Sequence, residues 1–182
     1  SSMSNARDPV APRMILWRRL DLPGHEVACL ELHDRDWHLS GSVLMADSSR
    51  ICRLDYVVVC DSAWRTLWTR VTGRIGLDQV NIRIAGQPGG KWLVNGTECI
   101  SARGCIDIDL GFSPATNIIP IRRLQLATGG HASVRAAWLR FPELTLEPLE
   151  QEYHRVDERD YEYLYDGGRL WATIEGDEAG LA

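Results

Sequence analysis

Alternation of apolar and polar residues with a period of two recurs in nearly every run of this chain from Met14 onward, and a helical period is rarely sustained. Successive side chains of a strand point to opposite faces, so this pattern calls for sheets with one buried face. "EVACLELH" alternates, "HDRD" offers a turn and "WHLSGSVLMAD" runs back, which predicts a hairpin. "RLDYVVVCD" is rich in β-branched residues, and "QVNIRIAG" places Val80, Ile82 and Ile84 on one face. "GQPGGKW" and "VNGTE" carry turn chemistry, with glycine supplying positive φ. "SVRAAWLRF", "LTLEPLEQEY" and "YEYLYDGGRLWATIE" complete an antiparallel series. Reversal at the Asp-Gly-Gly turn gives Tyr161, Tyr163 and Tyr165 a common face with Leu170, Ala172 and Ile174. That stripe is expected on the buried or concave side, as packing or facing a ligand, with Glu162, Arg169, Thr173 and Glu175 outside.

Two segments depart from the pattern. In "SAWRTLWTRV", Trp64, Leu67, Trp68 and Val71 fit one helical face, whereas Trp64, Thr66, Trp68 and Arg70 fit one strand face. Its threonines, tryptophans and valine favour the strand. "GCIDIDLGFSPATNIIPIRRLQL", Gly104 to Leu126, opens as a strand with Cys105, Asp107 and Asp109 on one face and Ile106, Ile108 and Leu110 on the other. Ser113 before Pro114 then signals a helix start, Asn117 offers a second cap, and Gly129-Gly130 offers a stop. This is the main helical candidate, short and apolar enough to plug a β architecture.

The totals bound the rest. At 182 residues the chain has the size of one domain. Residues 1–13 are expected to be a flexible leader and 14–182 a single domain. An apolar share of 45% argues against disorder, and a net charge of −5 argues against general affinity for nucleic acid or an anionic membrane. No run approaches the ~20 apolar residues of a transmembrane segment, and no secretory signal opens the chain, so the expected location is cytoplasmic. The five cysteines form no C-x-x-C pair and read as small hydrophobes in a reducing compartment.

Candidate chemistry concentrates around the two aspartates. On one strand face Asp107 and Asp109 would lie about 7 Å apart at the backbone. That suits a pair of acid/base carboxyls, but also arginine or backbone pairing, or plain solvation. Arg122 and Arg123, flanked by apolar residues, read as partners for those carboxylates or as contacts for a ligand phosphate or carboxylate. Seven tryptophans against two phenylalanines nominate Trp64, Trp68 and Trp138 as lining of a wet-edged apolar cavity or as ordinary core. "HDRDWH" lacks a further ligand cluster, so no metal is expected, and nothing points to a cofactor or a nucleophile.

"CIDIDLGFSPATNIIPIRRL" and "VRAAWLRFPELTLEPLEQEYHRVDERDYEY", with "WRRLDLPGHEVACLEL" and "LDYVVVCDSAWRT", resemble the bacterial glycolipid-binding family, formerly a domain of unknown function. The resemblance runs from about Trp17 to near the C-terminus. It implies a mainly β fold: an antiparallel half-barrel or strongly curved sheet wrapped around a short helical segment, similar to lipoprotein carriers. It also implies a glycolipid or other amphiphile held on the concave face. The matching motif positions are Asp107, Asp109, Gly111, Pro114, Thr116, Asn117, Pro120, Arg122 and Arg123, and no catalytic residue comes with them. Two other readings stand beside it: a carbohydrate- or glycolipid-processing enzyme using Asp107 and Asp109, and a closed structural or interaction domain. Unpaired strand edges of an open half-barrel leave a homodimer open.

Overall fold

The computed structural model describes residues 13–18, 23–165 and 170–175. The first eight strands form one antiparallel meander in chain order: β1 Arg13–Arg18, β2 Gly24–His33, β3 Asp36–Asp47, β4 Arg50–Cys60, β5 Thr66–Ile75, β6 Asp78–Gln87, β7 Lys91–Val94 and β8 Thr97–Glu98. A five-stranded sheet follows, ordered β13 (Leu170–Glu175), β12 (Asp160–Tyr165), β11 (Leu146–Arg155), β10 (His131–Leu139), β9 (Ile108–Leu110). Between β9 and β10 lie a 3-10 turn, Pro114–Asn117, and helix α1, Ile118–Leu124. β9 pairs with β10 in parallel, and a parallel neighbour requires such a crossover. The fold is thus the expected half-barrel with a helical plug.

Alternation builds both faces of the large sheet. Leu39, Val43, Leu54, Tyr56, Val58, Val71 and Ile84 point inward and are buried. They share one core with Ile108, Leu110, Ala137, Leu139 and Leu146 of the second sheet, and with Phe112, Ile118 and Ile119 of the plug. Each fully buried aliphatic here is worth about 1.5–3 kcal/mol in transfer free energy. The other face of the second sheet has a smaller core, in which Ile121 of α1 meets Val134, Tyr153, Tyr161 and Tyr163. α1 therefore packs into two cores at once. Close approaches in the large sheet need glycine, Gly41 and Gly73 among them. A Cβ on Gly41 would lie 2.4 Å from the Tyr56 hydroxyl, and Gly73, at φ +137°, would place one 2.0 Å from the Arg53 carbonyl.

Several expectations are corrected in detail. Residues 66–75 are strand, but Trp64 lies before it, in a turn at φ 65°. Cys60 faces Thr66 and Val59 faces Trp68, so Leu67 is an extra residue in a bulge. The bulge reverses parity: Thr66 is buried, Trp68 points outward at 38% exposure, and the two tryptophans share no face. In the 104–126 stretch the strand begins only at Ile108, after a bend at Asp107. Cys105 consequently joins the inter-sheet core, its carbonyl accepting from Trp92 Nε1 at 3.0 Å, while Ile106 is 46% exposed. Ser113 does cap the 3-10 turn, accepting from the Ala115 N–H at 3.1 Å. Asn117 makes no side-chain cap, and α1 ends at Gln125 in the left-handed region, ahead of Gly129.

The "HDRD" hairpin and the shared face of Val80, Ile82 and Ile84 are as expected. The tyrosine register is too, with Tyr161, Tyr163 and Tyr165 opposite Ile174, Ala172 and Leu170. The Asp-Gly-Gly turn, Arg169 and residues 1–12, on which the expected leader falls, lie outside the described residues.

Candidate functional site

The face of the five-stranded sheet turned away from the main core, where Ile121 of α1 packs, gathers most of the nominated polar residues. In register, Asp109 faces Trp138, Val134 faces Gln151, and Tyr153 faces Tyr163. Residues two apart share a face, so Asp107, Asp109, Trp138, Gln151, Tyr153 and Tyr163 all belong to this one. Ile108 and Leu110 turn the opposite way, into the main core. The strand alternation that anchors β9 thus delivers both carboxylates to one surface.

Asp107 is almost fully buried and is held by Arg123 in a two-pronged contact, Nε to Oδ1 at 2.9 Å and Nη2 to Oδ2 at 2.8 Å. Burial raises its pKa, and the guanidinium opposes that rise. Arginine in this fork geometry is the strong form of the pair, and removing it would leave a buried carboxylate uncompensated. Asp107 is thereby tied to α1 and withdrawn from other partners. Asp109 is only half buried and accepts from Gln151 Nε2. Burial drives its pKa up to about 6; Gln151 and Thr116 oppose the rise, and the neighbouring Asp107 adds to it. The same Gln151 nitrogen donates to the Tyr163 hydroxyl at 3.3 Å. Gln151 must cross Ala136 to reach Asp109, and only a methyl stands there.

The tyrosines continue the network into an aromatic ladder. Tyr153 donates its hydroxyl hydrogen to Asn117 Oδ1 at 2.7 Å, and Asn117 Nδ2 donates to the Pro114 carbonyl at 3.0 Å. That bond explains why Asn117 is not a cap: its side chain ties the plug to the sheet. The Tyr153 and Tyr163 rings lie 5.3 Å apart, and Tyr163 stacks on Tyr165 at 5.1 Å. Burial holds the Tyr153 and Tyr163 phenols well above their ordinary pKa, so both remain neutral donors. Thr116 Oγ1 accepts the Leu110 N–H at 3.2 Å and fixes the turn beneath Asp109.

The nominated residues divide by place. Asp107, Asp109, Asn117, Arg123 and Trp138 come together, with the Arg140 guanidinium 5.8 Å from the Trp138 ring. Arg122 lies over Trp64, also at 5.8 Å, and Trp64 stacks on Trp37 at 4.9 Å in the main core. Trp68 stands apart on the outer face of the large sheet. Reading from the sequence overlooked Gln151 and Tyr153, and held Thr116 only as a matching motif position. The alternation "LEQEY" carried the signal for the first two, because it places Gln151 on the face of Tyr153. A groove of about 430 Å³ lies elsewhere, across β2, β3 and β4, where His25, Ser42, Leu44 and Arg53 are among its lining. No group of three or more metal-ligating side chains occurs among the described residues. None of their helices is long and apolar enough to cross a membrane.

A curved sheet closed by a short helix, with hydrogen-bonding groups gathered beneath that helix, defines a half-barrel protein. The chain belongs to the family described as "Putative glycolipid-binding", which matches residues 14–182. It is similar to the crystal structure of a DUF1089 family protein from Pseudomonas aeruginosa, with a TM-score of 0.73 and 26% identity, over 100% of this chain and 92% of that one. No curated protein matches.

Proposed function

We propose that this protein binds a glycolipid or similar amphiphile on the face of its five-stranded sheet that packs against Ile121 of α1. The observation that carries the reading is the convergence of Asp109, Gln151, Tyr153, Tyr163 and Asn117 at one end of a tyrosine ladder. A sugar ring offers apolar C–H faces to aromatic rings and hydroxyl edges to carboxylate and amide groups, and this surface supplies both. The acyl chain lies along the apolar residues of the same face, near Trp138 and Leu126, at about 0.8 kcal/mol per buried CH₂. Asn117 and Arg123 border the head, and Arg122 and Trp64 form the wall behind the plug. In this reading residues 14–182 act as one binding unit and need no cofactor. Membership of a family with that description supports it.

Native mass spectrometry of the purified protein, followed by organic extraction, tests the proposal. The expected result is a co-purifying glycolipid, or uptake of added dodecyl maltoside that Gln151→Ala weakens at least about tenfold. Protein that carries no lipid and takes up no alkyl glycoside contradicts it.

The alternative reading, catalysis, is favoured by one observation, the Asp109 carboxyl held at about 6. It rests on Asp109 alone, because Arg123 occupies Asp107. It requires turnover of a glycoside that Asp109→Asn abolishes in a folded protein.

A further inference from the structure

We infer that the site selects against anionic head groups and takes an uncharged, hydroxyl-rich one. This rests on the binding reading above and specifies its ligand. The guanidinium nearest the cluster, Arg123, is already neutralised by the two-pronged contact with Asp107. At the Trp138 end, Arg140 lies between Glu143 at 3.5 Å and Glu147 at 3.8 Å. Asp109 adds a carboxylate whose contacts are Gln151 and Thr116 rather than an arginine. Among the described residues, two guanidiniums thus face four carboxylates, a formal excess of two negative charges along this edge.

At the far end of the tyrosine ladder, Arg155 lies over Tyr161. Its Nε, Nη1 and Nη2 donate to the carbonyls of Asp157, Leu126 and Glu158, so its fork is committed to main chain. Arg122 is directed at Trp64 on the other side of the plug. A phosphate or sulfate head would need at least one fork open toward it and would meet the Asp109 carboxylate instead. Sugar hydroxyls have the opposite fit. They donate to Asp109 and accept from the Tyr163 hydroxyl, which itself accepts from Gln151, and they bring no charge to desolvate.

The test compares two amphiphiles with the same chain, dodecyl maltoside and dodecyl phosphate, by equilibrium binding to the intact protein at pH 8 and below their micelle concentrations. Dodecyl phosphate is then close to fully ionised. The expected result is maltoside binding at least about tenfold tighter, with the gap narrowed by Asp109→Asn, which removes the repelling charge and keeps an acceptor. Equal or tighter binding of the phosphate overturns the inference and leaves the amphiphile reading standing. Binding of neither amphiphile overturns both. A gap that Asp109→Asn leaves unchanged also overturns it, because the discrimination would then come from elsewhere.

Discussion

Asp109 is a residue whose chemistry the fold changes. Its carboxyl is raised from an ordinary 3.8 to about 6, with burial as the main cause. The folded protein therefore holds this proton more tightly than the unfolded chain does. Between pH ~4 and ~6 the folded state binds more protons, so stability from this group falls as pH rises through that window and stays low above it. Asp109→Asn removes the titration while keeping a hydrogen-bond acceptor for Gln151. Urea unfolding should find the variant gaining on the parent from pH 4 to pH 8, with most of the gain between 4 and 6. A stability difference that does not vary with pH would show that burial of this charge costs the fold nothing. The sequence supported arginine pairing of the aspartates as one of three readings, and the Asp107–Arg123 contact realises it. It could not divide the two carboxylates into one tied to an arginine and one bonded to an amide. That division depends on Gln151, which is 42 residues away.

At the scale of elements, the bend at Asp107 separates local pattern from tertiary control. Strict alternation would send Ile106 inward with Ile108. The parallel ladder with β10 instead begins at Ile108, facing Ala137, and the Trp92 indole holds the Cys105 carbonyl just before it. Neither partner is near in sequence, so alternation alone could not show where the strand starts. Ile106→Ala should consequently change stability by less than about 0.5 kcal/mol, while Ile108→Ala costs about 2–5 kcal/mol in chemical denaturation. Similar losses for both would contradict the bend. The β5 bulge is a comparable case. A single extra residue, Leu67, reverses every side chain between Thr66 and Trp68, and no composition signal marks it. The hairpins and the plug were legible because their signals are local: turn residues between alternating runs, and Ser113 before Pro114.

Over the whole molecule, the two sheets and the plug share one core, and α1 contributes to both faces of the smaller sheet. This is why one short helix can position a site. Arg123 and Asn117 reach from it and from the turn before it to Asp107 and Tyr153, while Ile118 and Ile119 anchor it on the other side. The overall architecture was legible from alternation and from the "DLGFSPATN" and "PIRRL" strings. Of the nominated tryptophans, Trp64 packs into the core, one of the two readings the sequence allowed it, while Trp68 faces outward. The free cysteines match their reading as small hydrophobes, and burial pushes Cys60 up to about 12. The most direct test of the account is a two-dimensional NMR titration of the intact protein with dodecyl maltoside. The account predicts that the largest shifts fall on the Gln151 side-chain amide, the Trp138 indole N–H and the amides of β11 and β12. Shifts confined to the groove across β2, β3 and β4, with the Gln151 amide unmoved, would contradict it.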